Sequence, residues 1–105
     1  MDQQLKDFIT WEEERLQVFY NERDKKTLVM QRMCKLAEET GELSSEVLKS
    51  INIQRKEKLI DNNVEKLADE CADVIITTLL LAEVMGIDVG KAINEGIEKR
   101  KSRNY

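Results

Sequence analysis

Residues 64–85 read VEKLADECADVIITTLLLAEVM. No glycine or proline interrupts them, and Val64, Leu67, Cys71, Val74, Thr78, Ala82 and Met85 recur at helical steps. The pattern predicts a helix from about Asn63 to Met85 with that stripe on its core side. Glu70, Asp73 and Thr77 fall on the neighbouring face. After Asp73 the helix turns apolar almost all round, because Ile75, Ile76, Leu79, Leu80 and Leu81 join the stripe. A helix that is hydrophobic on every side is buried on every side. Three or four short helices in one chain can hardly enclose it, so a homodimer or homotetramer is expected.

Upstream, residues 36–47 read LAEETGELSSEV and belong to a second helix expected from about Thr27 to Ser50, with Val29, Met33, Leu36, Leu43 and Val47 as its stripe. Glu38, Glu39, Glu42 and Glu46 occupy the arc beside it, at the same offset as Glu70 and Asp73 on the later helix. Neighbouring carboxylates repel, and Gly41 costs a helix interior about 1 kcal/mol relative to alanine. Close helix packing is the preferred reason for that glycine. A first helix is expected over Gln3–Tyr20 on Leu5, Phe8, Ile9, Leu16 and Phe19, and NERDKK ends it. Residues 51–61 read as a connection ending in a helix-start signal. Gly86 suits a C-terminal cap, and Asp88 an N-cap for a fourth helix from Val89 to about Lys101.

The class is therefore all-α: an antiparallel bundle of about four helices in one domain, 1–105, completed by oligomerisation. Composition agrees, with 36% charged and 41% apolar residues, few aromatics and no proline. The net charge of −4 argues against broad nucleic-acid or acidic-membrane binding. The opening MDQQLKDFIT is charged too early to read as a signal peptide, and VIITTLLLA is far short of the ~20 residues that span a bilayer. A cytoplasmic protein is expected, with Cys34 and Cys71 as reduced packing residues.

Glu39 and Glu42 are one turn apart on one helix, and so are Glu70 and Asp73 on the next. Antiparallel packing can bring these four carboxylates around one point. A single acidic face is commonly just solvated; the second pair at the matching offset shifts the weight to a cluster. Converging carboxylates either rise in pKa or take cations. Oxygen ligands in a chain without histidine select Mg²⁺, with Mn²⁺ as the alternative. The basic run Lys99, Arg100, Lys101 and Arg103 can meet an anionic substrate or simply complement its helix C-terminus. Phe8, Trp11, Phe19 and Tyr20 at helical spacing read first as core, with Trp11, off the first helix's stripe, as the exception that could stack on a flat ligand.

EETGE at 38–42 followed by ECAD at 70–73 resembles the Glu-Glu-x-x-Glu and Glu-x-x-Asp signature of the MazG-like, all-α nucleoside triphosphate pyrophosphohydrolases. The segment LAEVMGIDVGKAINEGIEKRKSRNY is similar to that family's later helix, Gly-Ile-Asp turn and basic last helix, and the likeness covers most of residues 28–105. The resemblance implies a Mg²⁺-dependent enzyme that cleaves the α-β phosphate bond of a nucleoside triphosphate, giving monophosphate and pyrophosphate, in a role such as nucleotide-pool house-cleaning. By motif position Glu39, Glu42, Glu70 and Asp73 would hold the metal, and Glu38 would be an outer ligand or the base for water. Arg103, Arg100, Lys99 and Trp11 would contact substrate. The family's Lys-x-x-x-Asn-x-x-Arg pattern is only partly met, since Gly96 and Arg100 stand at its first two positions while Arg103 fits.

Two alternatives remain. The phosphoribosyl-ATP pyrophosphohydrolases share the acidic signature but carry histidine four residues after the aspartate, where this chain has Thr77. A non-catalytic helical oligomerisation module would use the apolar third helix alone. A carboxylate-bridged di-iron bundle is disfavoured, because its Glu-x-x-His pairs need histidine.

Overall fold

The computed structural model describes residues 1–21, 24–51 and 61–104, without the side chains of 61–63. It is an all-α bundle: α1 Gln3–Tyr20, α2 Lys25–Ser50, α3 Asp61–Met85 and α4 Val89–Lys101. No strand occurs among the described residues. The connection expected at 51–61 lies largely outside them.

Local chemistry sets the helix ends. Asp2 caps α1 by accepting from the Gln4 amide at 2.8 Å, and Asn21 closes it in the left-handed region at φ 51°. Gly86, at φ 69°, ends α3: the Ile87 amide reaches back to the Ala82 carbonyl at 2.9 Å and the Gly86 amide to Glu83 at 3.2 Å. A side chain at that φ would be strained, which is why glycine stands there. Asp88 then caps α4 through the Lys91 amide at 3.1 Å, as its sequence position predicts.

The broad interfaces are α2 with α3 and α1 with α3; nothing of comparable extent joins α1 to α2 or α4 to the rest. Helices α2 and α3 run antiparallel, and Lys66 Nζ on α3 pairs with Glu46 Oε1 on α2 at 3.5 Å. The small core gathers Ile9 of α1 with Leu79 and Leu80 of α3, flanked by Leu5, Phe8, Leu16, Ile76 and Val89.

The inward faces differ from those the apolar stripes suggest. On α3, Val64, Cys71, Thr78 and Met85 are exposed, and the buried residues are Thr77, Leu79, Leu80 and Ala82. On α2, Met33 and Val47 are exposed while Leu28, Arg32 and Glu39 are buried. Both helices are turned part of the way toward their acid-bearing arcs: Glu39 and Thr77 are buried and Glu70 half-buried, Glu38, Glu42 and Asp73 stay exposed, and Val29, Leu36, Leu43, Leu67 and Val74 of the stripes are half-buried. Apolar periodicity locates a stripe but not the neighbour that covers it, and one chain covers only one side of α3. Phe19 is exposed as well. Cys34 and Cys71 are exposed thiols and not packing residues. Gly41 is exposed with open space where a Cβ would stand, so close packing within the chain does not account for it.

Candidate metal centre

Glu39 projects from the middle of α2, and Glu70 and Asp73 from the first half of α3, so the antiparallel register sets the three across from one another. One carboxylate oxygen from each lies within 4.8 Å of the other two. Glu39 is only 7% exposed. Two oxygens in this group, Glu39 Oε2 and Glu70 Oε2, are buried without a hydrogen-bond partner. A buried carboxylate oxygen left unanswered costs free energy, and native proteins rarely leave one so.

Glu42, one turn beyond Glu39, is exposed and outside that triad. Its field is still that of the cluster: the charge of Glu39 first, then desolvation, then Glu70 and Glu38 raise its carboxyl above the ordinary value. Three of the four carboxylates singled out by spacing thus converge, and the fourth stands at the rim. Glu38 is more than half exposed and lines a cleft next to the cluster. Lys35 bridges the two regions, with Nζ 3.1 Å from Glu39 Oε1 and 3.5 Å from Glu38 Oε1. The bond to Glu39 is the main cause that holds the Lys35 ammonium pKa above its usual value.

The cleft, of about 710 Å³, is lined by α1 and α2, which share no broad interface, and Thr77 and Leu80 of α3 complete its lining. Leu16, Tyr20 and Met30 give it apolar walls, and Gln31 and Thr27 polar points. A pocket of this size and lining suits a small organic ligand. Thr77 donates its hydroxyl to the Asp73 carbonyl at 2.6 Å, so this position offers no acid or base.

One buried ion pair joins α1 to α2 beside the cleft, with Arg32 on its wall and Glu13 behind it. Arg32 Nε donates to Glu13 Oε1 at 2.8 Å and Nη2 to Glu13 Oε2 at 2.6 Å, with Gln17 Nε2 adding a bond to Oε2 at 3.2 Å. Glu13 is 4% and Arg32 5% exposed. Sequence reading missed this pair. Its signal was an acid on the stripe between Ile9 and Leu16, and a base on the stripe between Leu28 and Leu36.

Trp11 does not line this cleft. Its ring stacks under the Arg15 guanidinium at 4.6 Å and beside Phe8 at 6.0 Å, over a separate depression formed with Glu14, Val18 and Phe19. Tyr20 is the aromatic on the cleft. Lys99, Arg100 and Arg103 are exposed on or just after α4, which packs broadly on neither α2 nor α3. The chain's own fold does not bring that basic end onto the cluster by helix packing.

An all-α domain whose acidic residues converge across an antiparallel helix pair, beside a ligand-sized cleft, defines a class of acidic-centre helical domain. The MazG-like family model matches residues 33–104, which take in the whole triad, Glu42 and α4. The chain belongs to the MazG-like family, and membership suggests a nucleotide pyrophosphatase-type all-α domain. Neither the curated proteins nor the solved structures give a match to it. No helix among the described residues is long and apolar enough to cross a membrane.

Proposed function

We propose that the chain is a Mg²⁺-dependent nucleoside triphosphate pyrophosphohydrolase that cleaves the α-β phosphate bond. The observation that carries this reading is the triad Glu39, Glu70 and Asp73, two of whose oxygens are buried and unanswered. Hard carboxylate donors with unused lone pairs fit Mg²⁺ or Mn²⁺. Glu39, Glu70 and Asp73 would hold the ion, with Glu42 at the rim. When bound, the ion supplies charge neutralisation and orientation for the polyphosphate.

The protein's own part is positioning and proton transfer. The cleft takes the nucleoside, with Tyr20, Leu16 and Met30 against its apolar surface, and leaves the phosphates at the carboxylate end. Glu38, exposed on the cleft side of the cluster, orients a water and accepts its proton as the water oxygen bonds to the α-phosphorus. The bond from that phosphorus to the bridging oxygen breaks, and pyrophosphate leaves as a unit. No covalent enzyme intermediate is needed.

The proposal extends to assembly. Val64, Ile75 and Met85 on α3, with Ile93 and Ile97 on α4, are apolar and exposed in one chain. A homodimer or homotetramer would cover them, and the same assembly is the proposed route by which Lys99, Arg100 and Arg103 reach the polyphosphate. Leu80 faces the cleft within its own chain, so Leu80→Lys disrupts the fold rather than the assembly; Ile75→Glu is the cleaner probe, read by light scattering.

Incubation with ribo- and deoxyribonucleoside triphosphates and Mg²⁺ tests the reaction. Monophosphate and pyrophosphate are the expected products. Diphosphate and orthophosphate as initial products, or no turnover of any nucleotide, would refute it.

A further inference from the structure

Three cations line the α1–α2 cleft, and two of them are committed to partners away from the carboxylate cluster. Arg15 holds Glu12 through Nε and Nη2, each at 2.8 Å, and Arg32 holds Glu13 in the buried bridge. Lys35 differs. Its counter-charges are Glu39 and Glu38, so it stands where the cleft meets the cluster. The Glu39 carboxylate is thereby split: Oε1 faces the ammonium, while Oε2 is buried and bonded to nothing.

Helix stabilisation is a weak account of the pair. Lysine precedes glutamate by four residues, the weaker of the two orders for an ion pair along a helix. The Lys35 side chain is 53% exposed on a flexible stem, so it can swing without breaking any packing.

We propose that Lys35 is a resident counter-ion of the metal-free cluster that becomes a phosphate-binding residue when substrate arrives. The proposal rests on reading Glu39, Glu70 and Asp73 as the site of a divalent cation. With a divalent ion held at Glu39, the Lys35 ammonium would lose the charge that holds it there and would be repelled. The ammonium would then turn toward the cleft it already lines, where a polyphosphate would offer new acceptors. Each charge stays compensated throughout. Lys35 thus competes with the ion in the absence of substrate and cooperates with it in its presence.

The test is equilibrium binding to the full chain, with two probes: Mn²⁺ alone, followed by electron paramagnetic resonance, and inorganic tripolyphosphate in the presence of Mn²⁺. Lys35→Met is expected to bind Mn²⁺ alone about threefold to tenfold more tightly, and tripolyphosphate weaker by a similar factor. Lys35→Arg restores both toward wild type. Lys49→Met is the control for the general field, because it removes the same charge from a pair with Glu46, and Lys49 stands ten residues along α2 from Glu39, about 15 Å at the helical rise. It is expected to change either affinity less than twofold once ~0.15 M salt screens distant charges. Lys35→Met behaving like Lys49→Met overturns the proposal while leaving the metal site intact, provided that wild type binds Mn²⁺ and Glu39→Gln does not. A wild-type chain that binds no Mn²⁺ overturns both.

Discussion

Helix α2 buries charge twice, two turns apart, and resolves it in opposite ways. At Arg32 the charge meets Glu13 in a bidentate bridge, and a glutamine adds a further bond. At Glu39 the carboxylate faces two more carboxylates, and its inner oxygen has no partner. The first site is complete within the chain. The second holds Lys35 on the outer oxygen of Glu39 and leaves the inner one open, and it is this opening that we propose a divalent cation fills. Burial by itself therefore does not single out a candidate site; burial without a partner is the feature that calls for an explanation.

The largest effect is expected at the closed site. Arg32→Met strands the Glu13 carboxylate in the gap between α1 and α2, and removing one partner of a buried pair typically costs about 3–5 kcal/mol. Urea denaturation should show a loss of that order, and the double variant Glu13→Leu with Arg32→Met should recover most of it, since two apolar side chains leave nothing unpaired. A single-variant loss under about 1 kcal/mol, the scale of an exposed pair, would mean that water reaches the bridge and the contrast drawn here is wrong.

The open site is expected to answer to metal instead. Mg²⁺ at about a hundred times its Kd should stabilise the wild type by about 2.7 kcal/mol through mass action, and Glu39→Gln should abolish the gain. The same variant should lose about 10²-fold or more in pyrophosphate release, on the scale of removing one transition-state electrostatic contact. In chelator its stability should match the wild type or exceed it by no more than about 0.5 kcal/mol, because the repulsion among the carboxylates and the attraction to Lys35 go together. A thermal melt with and without Mg²⁺ decides this. Equal shifts in Glu39→Gln and wild type would place the ion elsewhere.

How much of this was legible in the sequence follows from the range of each interaction. The limits of α1 and α4, the Asp88 cap and the Gly86 stop are local, and single residues announce them. The acidic centre was legible because Glu70 and Asp73 share a turn, as do Glu39 and Glu42, so each pair could be read within one helix. Glu13 and Arg32 lie on different helices, and no periodicity pairs them. The rotation of α2 and α3 that turns Glu39 and Thr77 inward was misread for the same reason, since Val64, Cys71, Thr78 and Met85 make as good a stripe as the one the fold buries. The cleft, being lined by residues of three helices, has no sequence pattern of its own.

The smallest effect expected is a pH slope, and it separates the two sites most finely. Glu42 sits at the rim of the open cluster, and the charge of Glu39, then desolvation and the charges of Glu70 and Glu38, raise its pKa above the ordinary 4.5. A carboxyl with a raised pKa holds its proton longer folded than unfolded, so across that window the folded state binds more protons and stability falls as pH rises. The contribution is fully present below the ordinary value and is lost as pH climbs through the raised one. Measured in chelator from about pH 4 to 7, the wild type should therefore lose stability relative to Glu42→Gln as pH increases. Mg²⁺ should flatten or reverse that relative slope, because an ion in the cluster favours the charged carboxylate. A wild-type-minus-variant difference that stays constant with pH in chelator would show that the cluster's field does not reach Glu42, and the open site would then shrink to Glu39, Glu70 and Asp73.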